Sequence, residues 1–195
     1  MPVSIDTLVM APSPTARCSS RGFTLIELLA VVVITGILAV AGVTLFRQQM
    51  LASKGSEAVG VISAIRVAEE AYAAENHIYL NVSIASGGTS WYPNPKPDMT
   101  RYAWVQATHD DYKDGWRILA PSINRPVLFG YLVNAGEPGS SVPALQLKSP
   151  PTFPTPMIVP WYVIQARGDV NGNSVYAQYA ASNANSELVV ENEGE

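Results

Sequence analysis

The hydrophobic positions of this chain change their pattern twice. From Leu28 to Phe46, 19 residues pass without a charge, and extending back to Phe23 adds only Glu27. A helix over Phe23–Phe46 would be roughly 36 Å long, enough to cross a hydrocarbon layer of about 30 Å. From Met50 to Asn76 there is no proline, and alanine and glutamate are frequent. Ala58, Val61, Ile62, Ile65, Ala68 and Tyr72 recur there at helical spacing on one face, while Glu57, Ser63, Arg66, Glu70 and Glu75 populate the other sides. Arg66 and Glu70 form an i,i+4 pair, and Asn76 is a suitable stop. The pattern predicts one helix from Phe23 to about Asn76, roughly 80 Å long. Its first half is apolar all round, and its second half is amphipathic.

After Asn76 the periodicity shortens towards two. Residues 81–126 are rich in Gly, Pro, Ser, Asp and Asn and read as a connector. Within it "RYAWVQA" (101–107) is a short strand candidate. "VLFGYLVNA" (127–135), "WYVIQAR" (161–167), "SVYAQYA" (174–180) and "ELVVEN" (187–192) are further strand candidates. Prolines 138, 143, 150, 151, 154, 156 and 160 predict a long surface loop between the first two of these. Asn171-Gly172 is the strongest short hairpin signal. The fold class expected is α+β: a long N-terminal helix packed on an antiparallel meander.

Composition and charge add little about chemistry. The 195 residues carry a formal charge of -4, which disfavours nucleic acid as a partner. Cys18 is the only cysteine, so the head has neither a disulfide framework nor a Cys-based zinc site.

The N-terminal segment admits three readings. A cleaved secretory signal usually has an apolar region of only about 7–15 residues, although Ala39-Val40-Ala41 resembles a cleavage site. A simple signal anchor, oriented by Arg17 and Arg21, leaves Glu27 unexplained. A charged side chain in a membrane helix costs about 3 kcal/mol, so it calls for a partner. A cut between Gly22 and Phe23 would create one. The new α-amino group on Phe23 lies one helical turn from Glu27, which also sits at the end of the helix where the macrodipole favours negative charge. That carboxylate can pair with its own amine or with the amine of a neighbouring helix.

Arg21-Gly22-Phe23-Thr24-Leu25-Ile26-Glu27, followed by the apolar helix, resembles the class III signal of type IV pilins and pseudopilins. "AIRVAEEAYAAENHIYL" (64–80) is also similar to the matching stretch of some pilins. The resemblance implies a leader over 1–22, a transmembrane and filament-core helix over 23–46, and a periplasmic or extracellular head over 47–195. The leader would start at Met1 or Met10. It implies cleavage after Gly22 and N-methylation of Phe23 by a prepilin peptidase and N-methyltransferase. It further implies assembly through Phe23, Leu25, Ile26 and Glu27, with other pilin subunits, membrane lipid and an inner-membrane assembly platform as partners. The subunit would be a single-pass inner-membrane protein before assembly and part of an extracellular or periplasmic filament afterwards. Many family members have a helix-bending proline where this chain has Thr44. Gly36 and Gly42 are the expected sites of helix flexibility here, or of close helix packing. Three functions remain open: a major or minor pilus subunit, a pseudopilin of a type II secretion machine, and a membrane-anchored binding protein or enzyme with a pilin-like start.

The head offers weaker signals. Asp169, Asn171 and Asn173 stand at i, i+2 and i+4 like the opening ligands of a calcium loop, but the glycine falls at the fourth position and no glutamate follows at the twelfth. An Asn-Gly turn with polar neighbours fits better, so no cofactor is expected, with calcium as the alternative. His109-Asp110-Asp111 reads as a solvated loop face rather than a metal or acid–base cluster. Trp91, Tyr92, Trp104, Trp116, Trp161 and Tyr162 are expected in the core. Glu187, Glu191, Glu193 and Glu195 read as a solvated acidic tail. No nucleophile motif is present, and a non-enzymatic role is expected.

Overall fold

A computed structural model describes residues 22–83 and 90–194. The chain divides into two compact units between Gly42 and Val43. Helix α1 (Leu25–Asn76) runs without a break through 52 residues and contributes to both. The predicted leader falls on residues 1–21, outside the described residues, and Gly22.

In the first unit every described side chain is exposed. Leu28, Val32, Ile34, Ile37 and Val40 expose more than half of their surface, around the whole helix. Thr35, a polar exception, bonds back to the carbonyl of Val31 at 2.5 Å. Its hydroxyl therefore needs no partner outside the helix, which suits an apolar surrounding.

The second unit holds an antiparallel sheet in sequence order: β1 (Gly130–Gly136), β2 (Trp161–Gly168), β3 (Ala177–Ser182) and β4 (Val189–Glu191). Val133 pairs with Ile164, Ile164 with Ala181, and Ala180 with Val189. The alternation of strand side chains then sorts the two faces. Tyr131, Val133, Tyr162, Ile164, Ala166, Tyr179 and Ala181 join Ala58, Val61, Ile62 and Ile65 of α1 in one core, with Ala68 and Tyr72 packed at its edge. This is the α+β arrangement expected, a long helix packed on an antiparallel sheet.

The opposite face explains one departure. Trp161 and Val163 point away from α1 and pack with Met157, Val142, Leu145 and Phe153 of the proline-rich loop. The loop is also tied down by Gln165, whose side-chain oxygen accepts the Gln146 N–H, and by Gln178, which donates to the Gln146 carbonyl. It is a cover with a small core of its own, not merely a surface excursion.

Other boundaries shift for reasons of hydrogen bonding. The 101–107 strand candidate reduces to a single bridge, Tyr102 to Val127, with both N–H···O bonds at 2.8 Å. The ladder of β1 starts at Gly130 rather than 127, because Val127 is engaged with Tyr102 and the Leu128 N–H donates to Glu57. β3 begins at Ala177 because the preceding turn spans 169–176 instead of two residues. The connector contains a π-helical turn (Tyr112–Trp116) and a short α2 (Arg117–Leu119), neither foreseen from its loop-like composition. Gly115 in that turn lies under the residue 80–83 segment, and a Cβ there would stand 2.3 Å from the Val82 carbonyl oxygen. Only glycine permits this approach.

Candidate functional site

The start of α1 is built by local hydrogen bonding. Thr24 precedes the first helical residue, and its Oγ1 accepts the Glu27 N–H at 3.3 Å. Glu27 Oε2 in turn accepts the Thr24 N–H at 3.4 Å. This reciprocal capping box satisfies two backbone donors that a helix start leaves free. The T-x-x-E spacing announces such a box, so the cap is legible in the sequence and gives Glu27 a role beyond its charge. Both residues are exposed, as are Gly22, Phe23, Leu25 and Ile26. Phe23 is 80% and Leu25 85% exposed, so among the described residues nothing covers the apolar side chains around the Gly22–Phe23 step. Gly36 and Gly42 lie inside α1 with open space where a Cβ would stand.

The head assigns its acidic residues differently from the helical pattern. Glu57, expected on an outer side, is buried. Its Oε1 accepts the Leu128 N–H at 2.8 Å and its Oε2 pairs with Arg101 at 2.5 Å, joining α1 to the connector and to the approach to β1. The Arg66–Glu70 pair is not among the ion pairs of the described residues. Arg66 donates to the Ser182 carbonyl, and Glu70 accepts from the Tyr79 hydroxyl. Glu69, outside the apolar pattern of the helix, is fully buried. Burial pushes its carboxyl up to about 8, with the Leu80 N–H bond opposing and the Glu70 charge adding to the rise. Its position four residues beyond Ile65 was the available signal.

The 169–176 turn uses the oxygens that resemble calcium ligands. Asp169 accepts the N–H groups of Gly172 and Ser174 at 2.7 and 2.9 Å. Asn171 accepts from Asn173, and Asn173 from Val175. Gly172 has φ +80°, which its lack of a side chain allows. Lys54 of α1 donates to the Val170 carbonyl at 2.5 Å and anchors the turn. Among the described residues no group of three or more His, Cys, Asp or Glu side chains could hold a metal ion.

His109, Asp110 and Asp111 do not form a solvated face as a set. His109 lies edge-on to Tyr92 at 5.1 Å, Asp110 pairs with Lys113 at 3.1 Å, and Asp111 is buried. The six aromatic residues expected in the core are all buried. Tyr92 is edge-on to Trp104 and stacked on Trp116, whereas Trp161 is buried in the second cluster under the proline-rich loop. The tail is not wholly solvated either, since Glu191 accepts the N–H groups of Lys148 and Ser149. A cleft of about 420 Å³ between α1 and α2 is lined mainly by Ala64, Val67, Ala71, Ile118 and Leu119, with Glu75 as its charged group. Tyr72 and Ser122 complete its polar lining.

Residues 17–43 match the family model described as the prokaryotic N-terminal methylation motif. The chain therefore carries the prepilin-type signal of type IV pilins and pseudopilins, in front of a pilin-like α+β fold. That signal spans 27 of the 195 residues; it supports a type IV pilin-like or pseudopilin protein, implies processing by a prepilin peptidase and assembly with other pilin subunits, and suggests membrane anchoring. No curated protein and no solved structure matches the chain.

Proposed function

We propose that this protein is a structural, non-enzymatic subunit of a type IV pilus or pilus-like filament. It is stored as a single-pass inner-membrane protein and polymerised through residues 23–46 into an extracellular or periplasmic fibre, with residues 47–195 as the head. Cleavage falls between Gly22 and Phe23, and Phe23 is N-methylated. Glu27 supplies the counter-charge to the Phe23 amine, and Leu25 and Ile26 supply apolar contacts with neighbouring helices. One observation carries the reading: the methylation motif leads directly into a helix whose apolar side chains, from Leu25 through Phe46, are exposed all round. Such a surface is stable only in lipid or against other apolar helices. Removal of residues 1–22 leaves the Thr24–Glu27 box intact and adds a cation one turn away, so the cut converts a helix cap into half of a charge pair.

Mass spectrometry of the mature N-terminus tests this. A chain beginning at methylated Phe23 is expected, and any other N-terminus overturns the proposal. Co-purification of the mature subunit with a secretion machine, in short periplasmic fibres only, would reassign it as a type II secretion pseudopilin.

A further inference from the structure

Two glutamates of α1 are buried, and their surroundings differ. Glu57 has Arg101 and a backbone N–H as partners. Glu69 is 0% exposed, its Oε2 accepts the Leu80 N–H at 3.0 Å, and its Oε1 has no hydrogen-bond partner. No cation pairs with Glu69 among the described residues. The charged and titratable groups around it are Glu70 on α1, whose charge opposes ionisation, and Tyr79 on the following segment, which responds to both glutamates. Tyr162 of β2 lies edge-on to Tyr79 at 4.8 Å, and Arg66 is directed to the Ser182 carbonyl. Glu75 and His77 are exposed beside the helix end. A buried carboxyl without a cation is stable as the neutral acid, not as the anion.

The bond to Leu80 occupies a mechanical junction. His77 takes a left-handed conformation (φ 64°) just beyond α1, and the chain reverses there. Leu80 is then tethered to Glu69, Val82 lies on Gly115, and Ser83 exchanges hydrogen bonds with Val133 of β1. We propose that Glu69 is a proton-operated clasp between the end of α1 and residues 77–83, closed when the carboxyl is neutral and loosened when it ionises. Once the segment lifts, Glu69 is hydrated and regains an ordinary carboxylate affinity for protons. Opening therefore releases a proton to water, and alkalinisation favours it.

The sign and size follow by linkage. The closed state holds its proton up to about pH 8, whereas the open state loses it at about 4.5. Between those values the opening constant rises by up to about tenfold per pH unit, and above them it levels off. Hydrogen exchange of the full chain in detergent micelles, corrected for intrinsic pH dependence, reads this at peptides covering 77–83. Wild type is expected to lose protection by about tenfold per unit from about pH 5.5 to 7.5. Glu69→Gln is expected to be flat, and His77→Asn to keep the wild-type slope. A wild-type profile without slope, an equal slope in Glu69→Gln, or a slope abolished by His77→Asn overturns the proposal. If Glu69→Gln does not fold, the carboxyl carbon resonance of Glu69 in wild type decides instead. Titration near 8 supports the clasp, and titration near the ordinary value of about 4.5 overturns it.

Discussion

The two halves of α1 share one backbone geometry and solve opposite solvent problems. Between Leu25 and Phe46 no side chain is buried, and Leu, Val and Ile surround the helix on all sides. Between Gly55 and Glu69 the buried positions form a stripe, and that stripe includes two carboxylates as well as Val61, Ile62 and Ile65. A helix apolar all round can be read without its fold, because any orientation about its axis presents the same surface. A helix with one buried stripe acquires its meaning from what covers it. Glu57 is an anchor because Arg101 and the Leu128 N–H arrive, and Glu69 favours the neutral acid because no cation does among the described residues.

The contrast can be broken from either side. The largest expected effect is Ile65→Ala, which should lower the stability of the head by about 4 kcal/mol, because Ile65 is fully buried against the sheet. Ile37→Ala, the same change in the first half, should leave the melting temperature of the head unchanged in detergent micelles. An equal loss from both would contradict the division of labour. Next comes Glu27→Ala. Fibre yield should fall by about a hundredfold, matching about 3 kcal/mol for a charge left without its partner in hydrocarbon. The head should melt as in wild type, and normal incorporation of the variant would remove the counter-charge role.

Asp169→Ala tests the turn with the weakest functional claim. Loss of two bonds from buried Asp169 to Gly172 and Ser174 should cost about 2 kcal/mol in thermal melting. Melting with calcium and with chelator should give the same curve, and a rise with calcium would turn these oxygens into ligands. The smallest effect is expected for Thr24→Ala. Removing one side of the capping box should cost about 1 kcal/mol of local helix stability, seen as faster amide exchange at Leu25–Glu27. No change there would mean that Thr24 does not cap α1.

Much of the second unit was legible because its side-chain periods are simple. Ala58, Val61, Ile62 and Ile65 recur at helical spacing, and Tyr162, Ile164 and Ala166 alternate as a strand must. What was not legible depended on partners distant in sequence. Val127 and Leu128 read as the start of β1, but Tyr102 and Glu57 take their hydrogen bonds. Asn171-Gly172 signals a tight hairpin, yet the longer-range bonds of Asp169 widen it to 169–176. Tyr112–Trp116 carries no helical pattern and forms a π-helical turn around buried Trp116 and around Gly115, on which Val82 closes.

Local chemistry alone determined the prepilin-type signal, the helix start at Thr24–Glu27 and the extent of the apolar run, since each involves neighbours within one or two turns. The tertiary structure decided which glutamates are buried, which is paired and which keeps its proton, and that the proline-rich loop covers the second face of the sheet. Those outcomes rest on desolvation and on hydrogen-bond partners brought from elsewhere in the chain. Glu57, Glu69 and Glu70 are the same residue type within four turns of one helix, and only packing makes them different.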